Sequence, residues 1–71
     1  MLITTKKVSD TIIRVNIIRD ELVRVYHVTN GNADWVSYKD STFEFNGKKF
    51  AVDGMGTRND KQMAAAVAAN L

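Results

Sequence analysis

The chain has 71 residues, ten Lys/Arg against eight Asp/Glu, and a formal net charge of +2. A chain this short buries only about 60% of its unfolded surface, so nearly every residue is needed for one core, which argues against a catalytic cleft and for a single domain, 1–71. Cysteine is absent, which excludes disulfides and thiolate metal sites; the weak basic excess is no polybasic arm, and no apolar run approaches the length of a membrane helix or a signal-peptide core.

These features predict a globular, cytoplasmic protein. Residues 1–8 read as a short edge strand, from Leu2, Ile3, Thr4 and Thr5. Lys6 and Lys7 make its end unattractive for aggregation. Ser9-Asp10 is a turn. Residues 11–18 and 22–29 are dense in β-branched side chains and predict two strands joined at Asp20-Glu21. A helical alternative also exists for 11–27. Ile12, Val15, Ile18, Leu22 and Val25 fit helical spacing, and Ser9 or Asp10 would cap it. The β-branched run favours strands, because those side chains lose rotamer freedom in a helix.

Asn30-Gly31 is a hairpin signal, since both residues tolerate the positive φ of a type I′ turn. The register that follows sets Tyr26 opposite Trp35, Val25 opposite Val36 and His27 opposite Asp34. Residues 33–38 then form the next strand, and Lys39-Asp40-Ser41 a polar turn. Asn46-Gly47 makes a second such hairpin over 42–52. It aligns Phe45 with Lys48, Glu44 with Lys49 and Phe43 with Phe50. Phe43, Phe45, Phe50 and Val52 share one face by the two-residue period of a strand.

Residues 53–56 form a loop. Thr57 is a good N-cap, with Asp60 three residues later and favourably placed against the helix dipole. Residues 58–70 predict one alanine-rich helix. Met63, Val67 and Leu71 line one stripe. The fold class is α+β: an antiparallel meander of about five strands with one C-terminal helix on one face. The phenylalanine face and the Met63-Val67-Leu71 stripe are expected to meet and form the core. The sheet face left uncovered would be a binding or dimer surface.

Catalytic and cofactor motifs are weak. Gly54-Met55-Gly56 before a helix start lacks the spacing of a phosphate loop and reads as a chain reversal. His27 is the only histidine, so it has no metal partner of the usual type. With Asp34 it makes a pair without a nucleophile, and Ser37 and Ser41 are not placed against it. The carboxylates are scattered. No catalytic residue, metal or cofactor is expected.

Arg24, Tyr26, Trp35 and Tyr38 are the candidate anchors for a protein partner, because aromatic and arginine side chains dominate interface energetics. The competing reading places Tyr26 and Trp35 in the core beneath the helix. Arg14, Arg24, Lys39, Lys48 and Lys49 are the candidate phosphate contacts for a nucleic acid. The duller reading of Lys48-Lys49 and Lys6-Lys7 is a solvated face and an edge guard.

The 35–38 stretch, the Gly47-Lys48-Lys49 hairpin and Thr57-Arg58 leading into an alanine-bearing helix resemble the arm-type DNA-binding domain of phage and transposon integrases. The resemblance spans 23–71. It implies a three-stranded sheet backed by a helix, inserted in the major groove. The leading expectation is instead a non-catalytic protein-binding module, of the accessory or inhibitor kind found in phages and mobile elements, covering a host protein surface. Nucleic-acid binding through the sheet is the alternative. A homodimer through an edge strand or the open face is a further expectation.

Overall fold

The computed structural model describes residues 1–36 and 41–71. Six strands precede one helix: β1 (Leu2–Lys7), β2 (Ile12–Arg19), β3 (Leu22–Thr29), β4 (Asn32–Val36), β5 (Thr42–Phe45), β6 (Lys48–Val52) and α1 (Arg58–Ala69). The β-branched segments are strands, so the helical alternative for 11–27 is set aside. Asn30-Gly31 and Asn46-Gly47 both carry positive φ, near 51° at each asparagine and 80° at each glycine. These are the values a two-residue type I′ turn needs. Asp20, with φ of 53°, turns the chain between β2 and β3.

The registers follow from those turns. Tyr26 faces Trp35, Val25 faces Val36 and His27 faces Asp34. Phe43 faces Phe50, Glu44 faces Lys49 and Phe45 faces Lys48. Strands β1 to β4 form the expected antiparallel meander. The β5–β6 hairpin joins it differently. Leu22 and Val23 of β3 pair in parallel with Ala51 and Val52 of β6, so the curled sheet is mixed. The far edge of β3 is therefore shared: β6 takes Leu22 and Val23, and β4 takes Val25 to Thr29.

Two hydrophobic clusters result, one on each sheet face. Val15, Ile17, Tyr26 and Val28 are buried against Ala64 of α1, with Met63, Val67 and Ala68 packed around them. Ile18, Val23, Val25 and Phe50 form the other, joined by Val36, Phe43, Phe45 and Val52. This corrects the expected core. The phenylalanine face does not meet the helix stripe; it folds onto the opposite side of β2 and β3. Leu71 lies outside both clusters and is 72% exposed. The face expected to be bare is largely covered by the protein's own second hairpin. The anticipated strand end at Ser37-Tyr38 and the turn at Lys39-Asp40 lie outside the described residues.

The helix begins as its sequence dictates. Thr57 is the N-cap, and its Oγ1 accepts the Asp60 N–H at 3.2 Å. No helix among the described residues is long and apolar enough to cross a membrane.

Candidate functional site: the tryptophan and the loop that frames it

The loop of residues 53–57 carries the chain from β6 to α1 across the ends of β3 and β4. Four contacts hold it. The Asp53 N–H donates to the Val23 carbonyl at 2.8 Å. Its carboxylate accepts from Arg24 Nε at 3.0 Å and from the Met55 N–H at 3.1 Å. The Thr57 N–H donates to the Tyr26 hydroxyl at 3.3 Å. Gly56 lies flat on Trp35: a Cβ there would stand 2.8 Å from Trp35 Cβ and 3.0 Å from Cγ. Glycine is required at this point because any side chain would displace the indole.

Behind the loop sits an ion-pair network that ties the helix start to the sheet. Arg19 donates both terminal nitrogens to Asp60, each at 2.8 Å. Arg24 Nη1 donates to the same carboxylate at 2.7 Å. Asp60 is 2% exposed, so it would be costly to bury without such partners. The Arg19 guanidinium, then that of Arg24, hold its carboxyl down at about 2 against the upward push of burial. Both guanidiniums are raised in turn, chiefly by hydrogen bonding to Asp60.

Trp35 stands on this frame. It is 48% exposed, gripped on one side by Gly56. Lys61 Nζ lies 4.9 Å from its ring centroid, within the range of a cation–π contact. The same ammonium is 3.9 Å from Asp34 Oδ1. Met55, next to Gly56, is 71% exposed. The indole thus packs against Gly56 on one side, carries the Lys61 cation near its ring and leaves about half of its surface open.

The other anticipated anchors fall elsewhere. Tyr26 is fully buried and takes the competing reading, core beneath the helix; burial pushes its phenol up. Arg24 is bound to Asp53 and Asp60, so it is frame rather than contact. Tyr38 lies outside the described residues. Of the candidate phosphate contacts, Arg24 is neutralised and Lys39 lies outside the described residues. Arg14 is half-buried and donates Nε to His27 Nε2 at 3.4 Å. Lys48 and Lys49 are exposed at the second hairpin, with Lys48 Nζ 5.2 Å from the Phe50 ring centroid.

His27 pairs in register with Asp34, but its hydrogen bond is to Arg14 on β2. Burial, then the Arg14 charge, lowers its pKa. Asp53, which had no evident role in sequence, is the pivot of the loop. Its only sequence signal is the Asp-Gly pair, which marks a turn but not an arginine partner.

Comparison of the chain with protein-family models, curated proteins and solved structures finds no match. The resemblance to an arm-type integrase domain rests on a three-stranded sheet backed by a helix. The sheet described here has six strands in mixed order.

Proposed function

We propose that this protein is a non-catalytic protein-binding module that grips its partner through Trp35, in the manner of an accessory or inhibitor protein that covers another protein's surface. The observation that carries this reading is a tryptophan packed closely against Gly56 and Lys61 yet half exposed. A large aromatic with little conformational freedom left to lose is the side chain most often found at the energetic centre of an interface. Lys61, with its Nζ 4.9 Å from the ring centroid, extends the contact area around it. The neutralised Arg24 weighs against the nucleic-acid alternative, because it removes one of the charges that reading assigned to phosphate.

The test compares wild-type and Trp35→Ala protein, immobilised and exposed to lysate with and without nuclease. Trp35→Ala is expected to lose specific capture, while its unfolding free energy falls by only about 1–2 kcal/mol, as for a half-buried side chain. Unchanged capture by Trp35→Ala would remove the reading. So would destabilisation as large as that of Phe50→Ala, which would make Trp35 core. Capture abolished by nuclease, together with a gel shift that weakens steeply with salt, would favour the nucleic-acid alternative.

A further inference from the structure

Strand β1 is the outer strand of the sheet and has no neighbour beyond it among the described residues. Its hydrogen-bonding pattern is settled by one contact. The Val8 N–H donates to the Ile12 carbonyl at 2.9 Å, and Lys7 lies opposite Ile13. Antiparallel neighbours alternate between hydrogen-bonded and non-hydrogen-bonded pairs. Leu2, Thr4 and Lys6 therefore turn their backbone groups toward β2. Ile3, Thr5 and Lys7 turn theirs outward, where no strand receives them.

The side chains of this edge have an order of their own. Leu2 and Val8 are 44% and 43% exposed and bracket the strand. The two lysines lie together toward one end. An antiparallel partner must match outward residues with outward residues, which leaves few registers. Centring the pairing on Lys6 sets two lysines directly opposite each other, which is unfavourable. Centring it on Thr4 leaves Val8 uncovered. Centring it on Thr5 sets Leu2 against Val8, Ile3 against Lys7 and Thr4 against Lys6. That register covers both exposed apolar residues and opposes no like charges.

We infer that β1 is a homodimer edge: a second copy of this chain adds its own β1 antiparallel to the first, on a two-fold axis at Thr5. The pairing makes about six inter-chain backbone hydrogen bonds, two at each outward position. It continues the sheet from one copy into the other. The axis runs perpendicular to the sheet, so both helices lie on the same side. Because β4 is across β3 from β1, the two Trp35 side chains remain free. This inference does not depend on what Trp35 binds.

The absence of cysteine makes the register directly readable. At a hydrogen-bonded pair the two Thr5 Cα atoms would lie about 5.5 Å apart, within disulfide range. Thr5→Cys is expected to convert to a disulfide-linked dimer under mild oxidation. Lys7→Cys is expected to cross-link at least about tenfold more slowly, since the two positions would be about 14 Å apart along the strands. Sedimentation of the wild type from about 1 μM to about 1 mM should show a shift to twice the monomer mass. Thr5→Pro removes only an outward N–H, a position an edge strand tolerates, and should sediment as a folded monomer. A wild type that stays monomeric throughout overturns the inference, as does equal cross-linking of the two cysteine variants. A dimer that survives Thr5→Pro and leaves Thr5→Cys uncross-linked places the second copy on another surface.

Discussion

The two faces of the sheet are covered by different devices, and they are not sealed equally well. On one face a helix lies close, because its inward positions are alanine, valine and methionine. Val15, Tyr26 and Ala64 there are fully buried and Ile17 is 1% exposed. On the other face a two-stranded hairpin delivers three phenylalanines. Only Phe50 is buried, at 7% exposure; Phe43, Phe45 and Val52 are partly open. A cleft of about 310 Å³ remains there, lined by Arg14, Asn16, Val25, Ser41, Thr42, Phe43 and Val52. The helix, with small side chains, lies close over β2 and β3, and its own open cleft of about 530 Å³ falls at the β4 margin, lined by Gly31, Asn32, Ala33, Asp34, Lys61, Gln62 and Ala65. The hairpin meets the sheet with bulky groups and leaves its cleft beside the buried Val25.

The sharpest way to break the comparison is to delete one large side chain from each face. Tyr26→Ala should cost about 3–5 kcal/mol, because the site is tightly enclosed and cannot collapse. It also strips the Thr57 N–H of its acceptor. Phe50→Ala should fall near about 3 kcal/mol, since the looser face has room to relax. Chemical denaturation of both variants gives the two values. A larger loss for Phe50→Ala would mean that the hairpin, not the helix, carries the tighter core.

The helix face has a second support, the carboxylate of Asp60 between Arg19 and Arg24. Its pKa is depressed in the folded state, from an ordinary 3.8 to about 2. A depressed carboxyl contributes stability that is present above its unfolded pKa and lost as pH falls through the folded one. The loss should therefore develop between about pH 4 and pH 2. A shift of this size corresponds to about 2.4 kcal/mol, reduced to about 1–2 kcal/mol because Arg19 is 40% exposed and its charge is screened. Denaturation midpoints followed from pH 6 to pH 2 should show the decline in the wild type and a much flatter profile in Asp60→Asn, which starts lower. A parallel decline in both proteins would assign the acid sensitivity to another group.

Local features of this fold were legible in the sequence because they are short-range. Each Asn-Gly pair sets its own turn, and the two-residue period then fixes which residues stand opposite: Tyr26 with Trp35, Phe43 with Phe50. Thr57 and the alanine run announce the helix. The choice of faces was not legible. Strands β2 and β3 are apolar on both sides, with Val15 and Ile17 toward the helix and Ile18, Val23 and Val25 away from it. Nothing in that pattern says which side receives the phenylalanines. The site was hidden for a related reason. Arg19 and Arg24 lie 41 and 36 residues from Asp60, and no periodicity links such partners. Trp35 and Tyr26 are register neighbours of the same type. Tyr26 is buried because it lies on β3 beneath α1, and Trp35 stays open because it lies on β4 beside that core, a difference no alternation pattern carries.

The smallest effect concerns the looser face, and it has the opposite sign. Asn16 is 4% exposed. Its Nδ2 donates to Thr4 Oγ1 at 3.1 Å, but its Oδ1 has no hydrogen-bond partner among the described residues. An unsatisfied buried acceptor costs about 1–3 kcal/mol. Asn16→Leu removes that acceptor, keeps the branched shape and heavy-atom count of the side chain, and extends its larger apolar volume into the adjoining cleft beside Val25 and Phe43. The change also releases Thr4, but its hydroxyl is half-buried and can turn to water. Asn16→Leu should therefore stabilise the protein by about 1 kcal/mol, read as a higher denaturant midpoint with an unchanged slope. The corresponding exchange on the helix face offers no such gain, because its buried polar groups, Asp60 and the Tyr26 hydroxyl, are already paired. Destabilisation by Asn16→Leu would show that the amide is satisfied in solution, and the two faces would then differ in packing alone.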